Sequence, residues 1–254
     1  MGLGHEVVPT GPARGGLTMS DQSAITVNFG RPMPLFPLDA VTLLPQQVLP
    51  LHVFEERYRQ MVCDALDGPG QFAMAVFEGD RWKQDYHGRP PLKPAVCIGQ
   101  IVQHVRTPDG HYNLLLQGVC RARIVRELPA REGRLYREAM LAPIGDGGGG
   151  ECGELEPMRR WLEDALAEGP LAGMAAAEPV LALVRDEDIP TAAVIELVGF
   201  TLTSDPAFKY RLLSEGNAVK RAEMLRVELE ALCRLIERAG RQRPGDWPKG
   251  CSWN

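Results

Sequence analysis

The sequence predicts an α+β fold, with a curled β-rich lobe over residues 31–144 followed by a helical lobe over residues 154–240. Three observations predict it. An amphipathic pattern follows residue 54, a long hairpin further on carries apolar residues on both faces, and the last third of the chain spaces its apolar residues by threes and fours. A chain of 254 residues with 44% hydrophobic and 24% charged residues is ordinary for a globular protein.

The first helix is expected to begin near Phe54 and to end at Gly68-Pro69-Gly70, where the backbone cannot continue a helix. Charged residues fill one side of this segment and apolar residues the other. The apolar face would consist of Phe54, Tyr58, Met61, Val62, Ala65 and Leu66. Residues 71–77 are expected to form a strand, and residues 78–94 a long loop.

A β-hairpin is predicted around Thr107-Pro108-Asp109-Gly110, because proline and a following glycine suit a tight reversal. In the predicted register the pairs are Ile98 with Cys120, Val102 with Leu116 and His104 with Leu114. One face would then carry Ile98, Val102, Tyr112, Leu114, Leu116, Cys120, Ala122 and Ile124. The opposite face is partly apolar too, which favours a curled sheet or barrel covered on both sides.

Three segments flank or separate the two predicted lobes. Residues 1–30 predict a mobile tail, the glycine-rich residues 145–153 a linker, and residues 241–254 a C-terminal tail. Within the helical lobe, Asp205 followed by Pro206 predicts a capped helix start, with Gly216 as its stop. The last helix has a seam for packing within its own lobe, made of Ala218, Ala222, Leu225, Leu229, Leu232 and Ile236.

Known catalytic patterns do not occur in these residues. No glycine is followed by lysine, as a phosphate-binding loop requires, and no serine lies in Gly-x-Ser-x-Gly. Ser204 with Lys209 could suggest a dyad, but helix capping explains that serine better. The five histidines and six cysteines show no metal-binding spacing, so no metal, no cofactor and no enzymatic activity are expected.

Net charge and hydropathy indicate whether nucleic acid or a membrane is an expected partner and which compartment is expected. A net charge of −5 disfavours nucleic acid, and the six arginines between Arg121 and Arg137 are interleaved with glutamates, which favours a solvated face. No apolar run is long enough for a signal peptide or a membrane span, so we expect a cytoplasmic protein with reduced cysteines.

Several motifs resemble the amino-terminal, substrate-recognition domain of Lon proteases. They are Leu35-Phe36-Pro37-Leu38, Leu49-Pro50-Leu51, Phe54-Glu55-Glu56-Arg57-Tyr58, Ile98-Gly99 and Gln117-Gly118-Val119, with weaker similarity across residues 202–225. The resemblance covers about residues 32–240. It implies a PUA-like twisted β pseudo-barrel wrapped around one helix, followed by a helical lobe. Glu56 replaces a proline often seen in the family.

The resemblance implies a non-catalytic module that binds unfolded or apolar polypeptide segments or a specific protein partner. Such a module could act as an adaptor in protein quality control or proteolysis. An RNA-binding PUA-like protein is the alternative. The apolar, proline-rich segment before the first helix, together with the mixed aromatic and arginine character at the helix start, indicates a binding surface. The alternative is that these residues close the barrel as part of its core. The candidate partner-binding residues are Leu43, Leu44, Pro45, Arg57 and Tyr58.

Overall fold

The computed structural model describes residues 25–86, 88–145 and 152–241. The first lobe contains six strands and one helix in these residues: β1 Met33–Leu38, β2 Val48–Val53, α1 Glu56–Leu66, β3 Gln71–Val76, β4 Ala95–Arg106, β5 Tyr112–Glu127 and β6 Arg137–Pro143. The second contains α2 Cys152–Ala167, α3 Ala177–Arg185, α4 Thr191–Leu202, α5 Pro206–Ser214 and α6 Ala218–Arg241. Short 3-10 helices span Arg81–Lys83 and Pro170–Gly173. The predicted α+β class is confirmed.

The strands pair in a ring. β1 lies parallel to β3 and antiparallel to β6, β3 pairs with β4, and β4 pairs with β5. β6 then returns to pair with the second half of β5, while β2 pairs with the first half of β5. Five strands are thereby joined in a closed circuit, and β2 extends it at one side.

Alternation along the strands separates two apolar clusters, because successive side chains point to opposite faces. One cluster is built from small and medium side chains, namely Met33, Leu35, Ala73, Ala75, Val96, Ile98, Ala122, Ala139 and Leu141. The alternate residues, such as Phe36, Phe72 and Met74, belong to the larger cluster shared with α1 and the helical lobe. Phe36 packs edge-on against Tyr58 of α1, with ring centroids 4.5 Å apart.

The buried face of α1 consists of Tyr58, Met61, Val62 and Ala65, as the periodicity predicts. Phe54 is different: it precedes the helix and leaves 57% of its surface exposed. The sequence assigned it to the apolar face because its spacing continues that pattern. The residue lies outside the helix, however, so helical spacing does not set its direction.

The hairpin register is confirmed at both ends, where Ile98 pairs with Cys120 and His104 with Leu114. Between them the predicted pair of Val102 with Leu116 is wrong. The register shifts once between Ile98 and Gly99 and shifts back between Ile101 and Gln103. Ile101 therefore faces Leu116, and Val102 is 49% exposed. An extra residue in one strand reverses the facing of its neighbours, which strict alternation does not anticipate.

The helical lobe begins and ends its elements near the predicted positions. The carboxylate of Asp205 accepts hydrogen bonds from the backbone N–H groups of Ala207 and Phe208, at 2.9 and 3.1 Å. In α6 the first four seam residues are buried, and Leu232 and Ile236 pack partly against the same cluster. Packing of α6 within its own lobe is therefore confirmed.

Most of the predicted tails and linker lie outside the described residues, which leave out 1–24, 146–151 and 242–254. The end of the predicted N-terminal tail is described. There Val27 and Phe29 pack against the smaller apolar cluster, and Gln71 donates a hydrogen bond to the carbonyl of Thr26. We therefore place the start of the folded lobe before Arg31.

Candidate functional site

A cleft of about 480 Å³ opens beside the start of α1 and is lined by two of the predicted site residues, Arg57 and Tyr58. Its far wall is the chain from Leu128 to Glu138, between β5 and β6. Five arginines line it: Arg57, Arg89, Arg131, Arg134 and Arg137. We call it the arginine cleft.

Arg57 is held from several sides. Its Nε donates to Glu55 at 3.2 Å, its Nη1 donates to the carbonyl of Tyr86 at 3.1 Å, and its guanidinium lies over the rings of Tyr58 and Tyr86. The Nη2 atom lies 3.0 Å from a Glu55 oxygen but has no partner in hydrogen-bond geometry among the described residues. Tyr58 itself is buried, and this burial raises the pKa of its hydroxyl. The near wall is thus rigid and fixes the direction of Arg57.

Ion pairs also order the far wall of the arginine cleft and offset part of its positive charge. Arg137 grips both carboxylate oxygens of Glu127, at 2.6 and 3.0 Å, and Arg89 shares that glutamate at 3.2 Å. Arg134 pairs with Glu138. Because Arg89, Arg134 and Arg137 are bound to carboxylates, the far wall is ordered, although two of these cations share Glu127.

A second surface lies on the outside of β2, β5 and β4, and we call it the outer sheet face. It consists of Val48, Pro50 and His52 of β2, Asn113 and Leu115 of β5, and Gln103 and Val105 of β4. Val48 and Val105 leave 47% and 55% of their surfaces exposed. Most of these residues line a shallow groove of about 460 Å³.

Aromatic and polar groups border the outer sheet face. The His52 ring shares a 2.7 Å hydrogen bond with the Asn113 amide oxygen and stacks 6.0 Å from the exposed ring of Phe54. His111 packs edge-on to His52 at 5.4 Å. Phe54 directly precedes Glu55 of the arginine cleft, so the two surfaces meet at this residue. Apolar area with a few oriented polar groups is the usual make-up of a binding surface.

Residues 32–231 match the model of the ATP-dependent protease La (LON) substrate-binding domain family. The chain belongs to this LON substrate-binding domain family. The match spans nearly the whole described structure, from β1 into α6. The resemblance to the amino-terminal domain of Lon proteases, inferred from the sequence motifs, is confirmed.

Solved structures of LON-type domains share the fold. The Lon N-terminal domain protein from Xanthomonas campestris has a TM-score of 0.54 at 22% identity, over 78% of this chain and 98% of that chain. The N-terminal domain of a Mycobacterium avium complex Lon protease has a TM-score of 0.58 at 18% identity, over 77% and 96%. A Lon protease of Desulfosudis oleivorans is 24% identical over 112 residues, which are 44% of this chain but 13% of that protein.

Three residues of the candidate surface do not reach solvent in this LON-type fold. Leu43 and Leu44 are completely buried in the larger apolar cluster, and Pro45 is buried beside them. Their segment folds back on β5, where Gly118 exchanges hydrogen bonds with Gln46 and Gln47, each of 2.8 Å. With Tyr58 also buried, Arg57 is the one predicted residue with appreciable exposure, and the structure does not bring the five together on one surface.

The outer sheet face was not identified from the sequence. The signal is nevertheless present, because Val48, Pro50 and His52 alternate with Leu49, Leu51 and Val53. Strand alternation assigns these residues to opposite faces, but it does not say which face is covered. Among the described residues no group of three metal-binding side chains occurs, and no described helix is long and apolar enough to cross a membrane.

Proposed function

We propose that the chain is a non-catalytic module that binds apolar segments of unfolded polypeptides through the outer sheet face. The observation that carries the proposal is this face itself, where the exposed Val48, Pro50 and Val105 and the half-buried Leu115 form an apolar area on three paired strands. Membership of a substrate-binding domain family supports the same role.

The form of the surface suits extended chains of varied sequence. β2 ends the strand order, but Pro50 at its centre has no backbone N–H. A proline in an edge strand prevents a continuous ladder with an added strand. Binding would therefore rely on apolar side chains resting on the face, with His52 and Asn113 as polar anchors, rather than on strand addition.

The experiment replaces Val105 and Leu115 together by serine and measures binding of a reduced, alkylated, permanently unfolded polypeptide. Loss of two apolar contacts should raise Kd by about tenfold or more, since about 1.4 kcal/mol corresponds to a factor of ten. Because neither side chain belongs to an apolar core, Tm should change by at most a few degrees.

Val125→Ser provides the matched control. This valine lies on the same strand β5 and is 61% exposed, but it lies beyond the stretch that pairs with β2. Its Kd should equal that of the unaltered protein. If Val125→Ser weakens binding as much as the double variant, or if the folded double variant binds normally, the outer sheet face is not the binding surface.

The finer role of the chain is a separate proposal. We propose that the chain acts as an adaptor that presents bound polypeptides to a separate protease, and that it works in the cytoplasm. Four cysteines whose side chains the structure describes, Cys63, Cys97, Cys120 and Cys233, are free thiols, as is usual in reducing compartments. Affinity capture from the native cell should recover a protease together with the chain; recovery of clients without any protease would contradict the adaptor role.

RNA binding is the weaker alternative. Of the six arginines between positions 121 and 137, Arg121, Arg134 and Arg137 are engaged with glutamates, and Arg121 is buried rather than on the solvated face that the sequence suggested. Phosphate binding needs available cations. Affinity for single-stranded RNA that falls steeply with salt would favour this alternative.

A further inference from the structure

A third cavity, of about 400 Å³, lies where the β-rich lobe meets the helical lobe. Its walls are largely small or apolar, including Val119, Ile144, Pro190 and Ala193. Among the described residues that line it, three carry charge: Arg121 of β5, Glu196 of α4 and Arg221 of α6. We call it the interlobe cavity.

The three charged side chains form a buried network with unequal charge. Arg121, Glu196 and Arg221 expose 7%, 4% and 7% of their surfaces. Arg121 Nη2 donates to one carboxylate oxygen of Glu196 at 2.5 Å, and Arg221 Nε donates to the other at 2.8 Å. Two cations therefore share one anion, which leaves one positive charge unbalanced in the described part of the cavity.

Backbone carbonyls satisfy only some of the remaining donors. Arg121 Nε donates to Leu212, and Arg221 Nη1 donates to Glu215 and Gly216. Arg121 Nη1 and Arg221 Nη2 have no hydrogen-bond partner among the described residues, and neither nitrogen is fully sealed from solvent.

The excess charge is unfavourable as it stands. Burial lowers the pKa of Arg221, and the positive charge of Arg121 lowers it further; together they outweigh the carboxylates of Glu196 and Glu215, which act in the opposite direction. An excess buried cation is strongly unfavourable unless an anion or further hydrogen bonds compensate it. Two guanidinium groups with free N–H donors are the usual recognition elements for oxyanions, because charge-assisted hydrogen bonds to carboxylate or phosphate oxygens are short and strong.

We propose that the interlobe cavity binds one small oxyanion, with the free N–H groups of Arg121 and Arg221 as donors. The apolar walls leave room for a small hydrocarbon body attached to the anionic group. A carboxylate on a small apolar residue and a free phosphate share this chemistry, and the two sources are separated experimentally. The proposal does not depend on the outer sheet face.

The test is thermal unfolding at constant ionic strength in phosphate, N-acetylvaline or N-acetylvalinamide. A bound oxyanion should raise Tm by about 3–6 °C at roughly ten times its Kd, because binding to the folded state stabilises it. The neutral amide should have no effect. Phosphate and N-acetylvaline titrations then show which source binds more tightly.

Glu196→Gln gives the decisive variant, because it removes the competing carboxylate while keeping the shape of the side chain. The anion should bind about tenfold more tightly or better, since the buried excess charge increases. Glu163→Gln is the control: this glutamate is in an exposed ion pair with Arg185, and its loss should leave the Kd unchanged. If Glu196→Gln unfolds in chloride buffer, recovery of its fold by phosphate is the corresponding positive result.

Three outcomes would overturn the proposal. The first is the absence of an oxyanion-specific rise in Tm. The second is an equal rise in the unaltered protein, Glu196→Gln and Arg221→Gln, which would be a general salt effect. The third concerns Asp146, which follows Gly145 of the cavity in the sequence. If only an Asp146→Asn variant responds to added anion, the chain's own carboxylate fills the cavity.

Discussion

Leu44 shows, at the scale of single residues, how a proline-rich segment can bury its apolar side chains. Its backbone N–H is bound by the Gln47 side chain at 3.1 Å, and Gln46 takes a left-handed conformation with φ of 68°. These local contacts turn the chain so that both leucines enter the core. The abundance of prolines suggested an irregular, exposed segment, but here the turn is what allows burial.

Leu44→Ala should therefore destabilise the protein by about 2–5 kcal/mol, the usual cost of removing a fully buried leucine side chain. Denaturant unfolding measures the change. Leu235→Ala, at a position 63% exposed on α6, should change stability by less than about 0.5 kcal/mol. Equal effects of the two substitutions would show that Leu44 is not part of the core.

At the scale of elements, β5 organises the first lobe, since it pairs with β2, β4 and β6. Within β5, Gly118 is the residue at which the turn that carries Leu44 comes close to the strand backbone. A Cβ atom added at Gly118 would lie 2.1 Å from the Leu44 carbonyl oxygen. Such a distance requires the backbone to move.

Gly118→Ala is expected to destabilise the fold by several kcal/mol, because strand β5 and the turn cannot both keep their positions. Each kcal/mol lost should lower Tm by about 2–4 °C. Differential scanning calorimetry gives the comparison. Gly153→Ala, in the first turn of α2 with no atom within 4 Å of the added Cβ, should be neutral or slightly stabilising. An unchanged Tm for Gly118→Ala would contradict the close approach.

Local elements were the part of the fold that the sequence could predict. The α1 face, the Thr107–Gly110 turn and the Asp205 cap each depend on neighbours within a few residues. The parallel pairing of β1 with β3 and the return of β6 to β5 depend on distant contacts that no local pattern encodes. The candidate binding surface was the least predictable part of the structure. The exposure of Leu43 or Val105 depends on which distant element covers that residue.

At the scale of the whole molecule, residues 32–231 form a LON substrate-binding domain, and the sequence given contains no recognisable catalytic motif. Purified chain should neither hydrolyse ATP nor cleave an unfolded protein, because it lacks a phosphate-binding loop and an activated serine. Phosphate release and gel electrophoresis of casein measure the two activities. ATP-dependent cleavage that persists through purification and disappears in Ser204→Ala would contradict this expectation.

The closed circuit of strands also has a consequence for biosynthesis. β1 leaves the ribosome first, yet its antiparallel neighbour is β6, and Met33 pairs with Ala139 roughly a hundred residues later. Until β6 has been synthesised, one edge of the nascent sheet has no partner and its apolar strands remain open to wrong contacts. The protein, which we propose binds unfolded polypeptides, would therefore itself be open to wrong contacts with such polypeptides until β6 has been synthesised.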